Sequence, residues 1–521
     1  MYEPPPALGG SPAVEALDRV IRRALAKHPK DRFAHAADMA EALQRVPVSE
    51  DAEAPSVQTI TRLIVLPFRM LRPHPDVEFL AESIPDAITH ALSGLGSLVV
   101  RSTAAASKLA GDTQDLERIA READVDVALT GSLLHSEERM QVQVQLLQVP
   151  DGTVLWSQRS QIGMRDVFQL QDQIVEKIID SLSLSLTARE QRMLASDVPA
   201  SPTAYEFFLR GNRLMPLGLR NVDDLLIARD LYAQAVEEDP GYAPGWVRLG
   251  RCHWLIGKGS DDRDTDIAKA ESCFEKALEL NPELPLAHNV YALLDIDRGR
   301  AVEAMTRLLQ RARAGSRQVE LFTALVQACK FCNLFEASVA AYERAVRLDK
   351  NVITSVNWTY FHMGDYDRAI ELGPSPTYLD AMVLSLRGEN EEAIRRLGKF
   401  DSQSPFIRSM VLGLLATIEG NREEALEHAK TTFARFADPE AVFYVVRHLA
   451  FLGEGETAVR ELHRVLDGGF LCYRALTAPD PWFDPIRSRE DFRELVARAE
   501  IRYQEAREAY HAAGGEELLG V

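Results

Sequence analysis

The chain predicts two unlike architectures in series: a small α/β unit, and behind it an all-helical stack of repeated hairpins. Three observations carry this. Between Val127 and Gln161 apolar and polar residues alternate with a period of two, the mark of half-exposed strands. From Ser201 onward the strands stop, and small residues recur at thirty-four-position intervals. Two polar, proline-containing stretches, Pro47 to Val57 and Ser196 to Pro202, separate the parts as linkers do. The expected layout is a short helical segment over 1–45, a linker over 46–58, an α/β domain over 59–195, repeats over 201–467 and a helical cap over 468–521.

The α/β elements follow in order. Leu63 to Phe68 is a short apolar run ended beside a proline, and Ser97 to Arg101 is a second strand candidate. Val77 to Leu92 places apolar residues at helical spacing and stops at Gly94. Asp115 to Ala123 reads as a short helix with Asp112 or Thr113 as its cap. Val127–Leu134 and Met140–Val149 form a hairpin with Met140, Val142, Val144 and Leu146 on one face. Asp151-Gly152 turns the chain into a further strand over Thr153 to Gln161. Asp166 to Leu186 is an amphipathic helix that closes the unit.

In the repeats, Gly299, Gly364, Gly388, Gly420 and Gly453 each stand five residues before an alanine, and Asn333 stands five before Ser338. Glycine and asparagine accept the left-handed conformation that ends a helix. The alanine then falls on the inner face of the next helix, where only a small side chain lets two helices meet. One such hairpin cannot bury its apolar face alone, so several must stack. Ala277 is expected at a close helix contact and Glu279 on the outer face. The first two hairpins carry insertions near Pro216 to Val222 and Lys258 to Asp266, and the Ala369 to Ala393 interval is short for a full repeat.

Composition narrows the function. The 521 residues are 46% hydrophobic and 26% charged, ordinary globular values. A net charge of −19 argues against general nucleic-acid binding, which needs a basic face. Residues 1–45 carry seven basic and six acidic side chains, so the acidity lies behind them. No run approaches the ~20 apolar residues of a membrane span; Met410 to Ile418 is the nearest. The start lacks a secretory pattern, and five cysteines suit a reducing compartment. A cytoplasmic location is expected.

The repeat spacing resembles that of tetratricopeptide repeats. Leu17-Asp-Arg-Val-Ile-Arg-Arg-Ala-Leu-Ala-Lys-His-Pro-Lys-Asp-Arg-Phe33 resembles the last helices of a bacterial serine/threonine protein kinase domain. The resemblance implies that Arg32 pairs with a glutamate closing the activation segment, and that partner is absent from the sequence. So are the glycine-rich loop, the ATP lysine, the His-Arg-Asp loop and the Asp-Phe-Gly metal site, all of which phosphoryl transfer requires. Residues 59–187 resemble the TolB N-terminal-like domain through Ile64-Val-Leu-Pro-Phe68, Glu78 to Ile84, Leu129-Thr-Gly-Ser132, Leu155-Trp156 and Phe168-Gln-Leu-Gln-Asp172. In that family the unit follows a kinase, cyclase or DNA-binding domain and precedes repeats, and it binds or transduces without catalysis.

No catalytic, cofactor or metal residues are expected. Cys329 and Cys332 form the one Cys-x-x-Cys, without the second pair a zinc site needs; they read as structural thiols. The histidines show no metal-ligand spacing, Trp156 reads as a sheet-packing residue, and Gly257-Lys-Gly259 reads as a flexible insertion. The candidate peptide groove is the face of the first repeat helices, where Arg251, Trp254, Asn289, Thr323, Gln327 and Lys330 are expected to be exposed and to favour an acidic peptide. Trp482 and Phe483 are expected to cap the stack. The expected function is a non-catalytic interaction and sensory region of a bacterial kinase-type signalling protein. Fragment of an active kinase and transcription-linked regulator are the alternatives.

Overall fold

The computed structural model describes residues 61–75, 77–109, 115–136, 139–163, 166–188, 190–191, 194, 199–215, 222–258, 262–314, 318–350, 352–373, 378–399, 405–435 and 438–521, with scattered positions between 20 and 40. The chain divides into two compact units, Met1–Ile60 and Thr61–Val521. In the first, Val20 is buried, the Arg23 guanidinium lies 4.4 Å from the Phe33 ring, and Arg32 Nε–H donates to the Ala26 carbonyl at 2.8 Å. The expected 46–58 linker lies outside the described residues.

The second unit opens with a mixed sheet. Its strands are β1 (Thr61–Val65), β2 (Arg69–Met70), β3 (Leu98–Val100), β4 (Val127–Ser136), β5 (Arg139–Gln148) and β6 (Val154–Ile162), in the order β3-β1-β4-β5-β6, with β2 beside β4. β1 runs parallel to β3 and β4, whereas β4, β5 and β6 are antiparallel neighbours. The alternation in β5 is realised: Met140, Val142, Val144 and Leu146 are buried. They face α1 (Leu80–Ser93) and α4 (Val167–Ser181) in one apolar core. Ile64, Leu66 and Ala128 point the other way, towards α2 (Thr103–Lys108) and α3 (Leu116–Ala123).

Three sequence expectations are corrected here. β1 stops at Val65 rather than Phe68, because Pro67 has no N–H to give to a ladder. The cap of α3 is Asp115, whose carboxylate accepts from Arg118 N–H at 2.9 Å; Asp112 and Thr113 lie outside the described residues. α4 ends at Ser181 rather than Leu186, because Ser183 turns left-handed at φ 51° and the Leu184 N–H bonds back to the Ile179 carbonyl.

Helical pairs fill the rest: α5 (Pro202–Arg213) with α6 (Val222–Glu238), α7 (Ala243–Gly257) with α8 (Arg263–Leu280), α9 (Pro285–Asp297) with α10 (Ala301–Arg313), and α11 (Val319–Phe331) with α12 (Phe335–Leu348). The shorter pairs α13 (Val356–Met363) with α14 (Tyr366–Glu371) and α15 (Tyr378–Leu386) with α16 (Asn390–Leu397) follow. They hold the compressed Ala369–Ala393 interval. Full-length pairs then return: α17 (Pro405–Glu419) with α18 (Arg422–Arg435), and α19 (Pro439–Phe451) with α20 (Gly455–Asp467). The five marker glycines all have φ between 78° and 83°, and Asn333 has φ 57°. Ala304, Ser338, Ala369, Ala393 and Ala458 are 0% exposed and Ala425 is 2% exposed. The left-handed stop and the small contact residue therefore fall where the spacing predicts.

Long-range packing departs from a simple stack in two places. The C-terminal segment was expected to cap the far end. Instead α21 (Tyr473–Thr477), a 3-10 turn (Pro481–Ile486), α22 (Glu490–Ala512) and α23 (Gly515–Leu519) fold back along the middle hairpins. Arg313 pairs with Glu517 at 3.0 Å, Arg344 donates to the Leu518 carbonyl at 2.8 Å, and Arg474 bonds Glu336 at 2.8 Å. Trp482 and Phe483 are buried as expected, against α19 and α22 rather than at an end. In the second place, the sheet core runs on without a break into α5, α6 and α7, although strands give way to helices near the expected boundary. On the other side of the sheet unit, Ser102 Oγ–H donates to Asp349 at the end of α12 at 2.8 Å.

Candidate functional site

Bridging α5–α7 and the end of α12, the sheet unit roofs the first repeat helices and forms with them an open-sided cavity of about 770 Å³. α1 and α4 supply the roof; α5, α7, α9 and the start of α11 supply the floor. A space of this size is typical of ligand pockets. Apolar walls come from Phe168, Val175 and Ile179 above and from Phe208, Tyr242 and Leu284 below.

The polar groups have a definite arrangement. Arg248 is 5% exposed. Its Nη2–H donates to His90 Nε2 at 2.7 Å and stands 3.7 Å from Asp86. Burial, ahead of the opposing Asp86 charge, pushes His90 down to about 4. The ring is therefore neutral at pH 7, and its Nε2 lone pair can accept from the guanidinium. Asp172, Glu176 and Asp180 line the cavity from α4. Their i, i+4, i+8 spacing sets them in one stripe about 12 Å long. Glu320, at the start of α11, lines the cavity too. Burial raises the Asp172 carboxyl, and the Glu176 charge raises it further. Burial likewise raises Glu320, with Asp349 and Asp86 adding to it. Glu320 is nonetheless exposed to solvent at the start of α11. Three polar atoms close to the cavity have no hydrogen-bond partner among the described residues: Asn289 Oδ1, Asn212 Nδ2 and Arg248 Nε.

The predicted groove residues do not form an open surface. Trp254 is 7% exposed and its Nε1–H donates to Asp297 at 2.8 Å. Asn289 is 5% exposed and lines the cavity. Thr323 Oγ1–H donates to the Val319 carbonyl of its own helix. Gln327 accepts from Ser355 Oγ–H at 2.5 Å. Lys330 is fully buried and its Nζ–H donates to Glu440 at 2.7 Å. Arg251 is half-buried on α7 and acts electrostatically on His90. The expectation of exposed first helices is thus corrected. α19 covers their inner face in the C-terminal half, through Lys330–Glu440, His362–Tyr444 at 3.0 Å and Tyr378–His448 at 2.8 Å. The sheet unit covers it in the N-terminal half.

Lys258, read as part of a flexible insertion, is held 2.6 Å from Asp297 and 4.9 Å from the Trp254 ring centre. Cys329 and Cys332 are buried free thiols; burial pushes Cys329 up to about 12 and Cys332 well upward, so both are unreactive as thiolates. Among the described residues no group of three His, Cys, Asp or Glu could hold a metal, and no helix is long and apolar enough to cross a membrane. Sequence reasoning missed Asp172, Glu320, Arg248 and His90. The acidic stripe at 172, 176 and 180 was the signal that could have found the roof.

Comparison with known proteins fits the helical half. The tetratricopeptide-repeat family description matches residues 264–284 and 319–352, on α8 and on the α11–α12 hairpin. The chain therefore contains tetratricopeptide repeats, a class that binds protein partners. A protein of Rhizobium meliloti (strain 1021) named "Putative adenylate cyclase 3" is 26% identical over 241 residues. That stretch is 46% of this chain and 41% of that protein, so the match spans about two fifths of its length. Among solved structures, the chain aligns with yeast Tom70 at 12% identity and TM-score 0.31, over 66% of this chain and 80% of that one. It aligns with the P58(IPK) TPR domain at 15% identity and TM-score 0.20, over 61% of this chain and 98% of that one.

Proposed function

We infer that this chain is the non-catalytic interaction and regulatory region of a bacterial signalling protein, working in the cytoplasm. The repeats dock a protein partner, and the TolB-like sheet unit over 59–195 couples that docking to an effector domain. The observation that carries the reading is the continuous core between the sheet unit and α5–α7, because a partner that moves the repeats must also move the sheet. The Leu17 to Phe33 resemblance favours a serine/threonine kinase as effector. The cyclase named for the Rhizobium relative favours a nucleotide cyclase as the second reading. Two measurements test this. The purified chain should transfer no label from radioactive ATP in the presence of magnesium. A photo-crosslinker at exposed Glu279 on α8, used in the native cells, should trap one dominant protein that then binds the pure chain at micromolar or tighter Kd. ATP-dependent labelling, or no saturable partner from the repeat positions, would overturn the reading.

A further inference from the structure

We propose that the chain pairs with a second copy of itself along the free edge of β6, joining two sheets into one across a two-fold axis. This goes beyond the interaction reading and does not depend on it. β5 is the one strand beside β6 among the described residues, so the far side of β6 offers backbone N–H and C=O groups that no ladder uses. Its nine residues make an edge about 30 Å long. The other edge of the sheet, β3, has three residues. Shortness, proline, lysine or an inward charge normally protects an edge strand. Val154–Ile162 is long and holds no proline or lysine. Its one charge, Arg159, lies opposite Gln143 on the side away from the core. The register shift falls at Leu146/Leu147 and leaves Trp156–Ile162 in regular pairing with Met140–Leu146.

The core runs out to this edge and stops half-covered. In β5, Met140, Val142, Val144 and Leu146 are buried. Their partners in β6, which are Ile162, Ser160, Gln158 and Trp156, are only half-buried. Trp156 and Ile162 pack against the core from its rim. An added strand supplies both things the edge lacks: main-chain partners and cover for alternate side chains. The sequence of β6, set against itself, says which strand. In an antiparallel pair with Gln158 opposite Gln158 of the second copy, inner residues meet inner ones and outer residues meet outer ones. Trp156 then stands opposite Ser160 and one diagonal from Ile162, within reach of an aromatic ring. The two-fold axis makes that contact twice. On the outer face Ser157 stands opposite Arg159. Centring the pair on Arg159 would set like charges face to face, which is destabilising. Centring it on Ser157 would carry most of the regular stretch past its partner.

Sedimentation velocity of the full chain between about 1 and 100 µM should show a reversible monomer–dimer equilibrium with a micromolar Kd. Ser157 is exposed, so its substitution spares the monomer fold. Ser157→Lys sets two Lys–Arg pairs across the axis and should weaken the dimer at least tenfold, whereas Ser157→Glu sets two Glu–Arg pairs and should tighten it. Ser157→Lys with Arg159→Glu puts opposite charges face to face again and should restore pairing. Gln158→Cys reads the register directly. Mild oxidation should link two copies through it, because the five native cysteines are buried. Each copy carries a net charge of −19, so pairing through main-chain bonds should tighten as salt screens that repulsion. A chain that stays monomeric over this range overturns the inference and leaves the edge to a strand of another protein. A dimer indifferent to every Ser157 variant, with no link through Gln158→Cys, places the contact elsewhere and overturns it too. So does a dimer that dissociates as salt is raised.

Discussion

Replacing Lys330 with Met tests whether the inner face of the repeats is a closed core or an open groove. Lys330 is buried, its side chain and that of Glu440 being 1% and 12% exposed. The pair joins α11 to α19, 110 positions apart in sequence, at 2.7 Å. Met preserves the hydrocarbon stem and removes the ammonium. Breaking a buried pair from one side costs about 3–5 kcal/mol, since the remaining charge loses its counterion. Glu440 keeps the Tyr444 hydroxyl at 3.0 Å and is not wholly buried, which places the expected loss at the lower end, about 3 kcal/mol. Lys330→Met with Glu440→Gln removes both charges and should recover to within about 1 kcal/mol of the wild type. Urea unfolding followed by circular dichroism measures the loss, and amide exchange should accelerate in both α11 and α19. A solvent-facing groove lysine would cost no more than ~0.5 kcal/mol. A Lys330→Met midpoint equal to wild type, with exchange unchanged in α19, would refute the closed inner face.

Three further outcomes are expected. Gly388 has φ 78° with open space where a Cβ would stand, so Gly388→Ala should cost about 1–2 kcal/mol from backbone strain alone; in Gly469→Ala the new Cβ would lie 2.8 Å from the Gly299 carbonyl carbon and oxygen, and thermal melts should show a clearly larger loss. Ala277→Leu overpacks a fully buried helix contact and should lose about 1–3 kcal/mol, while exposed Glu279→Ala stays within about 0.5 kcal/mol by denaturant midpoint. Burial raises Asp172 and Glu320 in the folded chain, so their ionised forms cost stability above the folded pKa, and that cost vanishes as pH falls through it; Asp172→Asn with Glu320→Gln should therefore melt higher than wild type at pH 7.5, with the gain shrinking towards about pH 4, where unfolded carboxyls also protonate.

Local structure was largely legible in the sequence, because its causes are local. A glycine or asparagine at a helix stop, an alanine five residues on and a period-two strand each act within a few residues, and the chain places them as their spacing predicts. The candidate site was not legible in the same way. Whether Lys330 faces water or Glu440 depends on a residue 110 positions away, and nothing in Val326-Gln-Ala-Cys-Lys330 distinguishes the two. The carboxylates of α4 were visible as an amphipathic face. Their role depends on α7, α9 and α11 arriving opposite them, which no short window contains. The fold-back of α22 and α23 is hidden for the same reason: Arg313 and Glu517 are 204 positions apart.

That last contact has a consequence for how the chain is made. A simple repeat stack can fold as each hairpin leaves the ribosome, since every unit needs only its neighbour. Here the α9–α12 hairpins lack part of their cover until the final helices exist. At roughly 5–20 residues per second, 204 residues take about 10–40 s to synthesise. During that interval the apolar faces of the middle repeats stand open to chaperones, to proteases and to neighbouring chains. Loss of the last thirty residues would prolong that interval indefinitely, so a C-terminal truncation should be harsher than its distance from the cavity suggests.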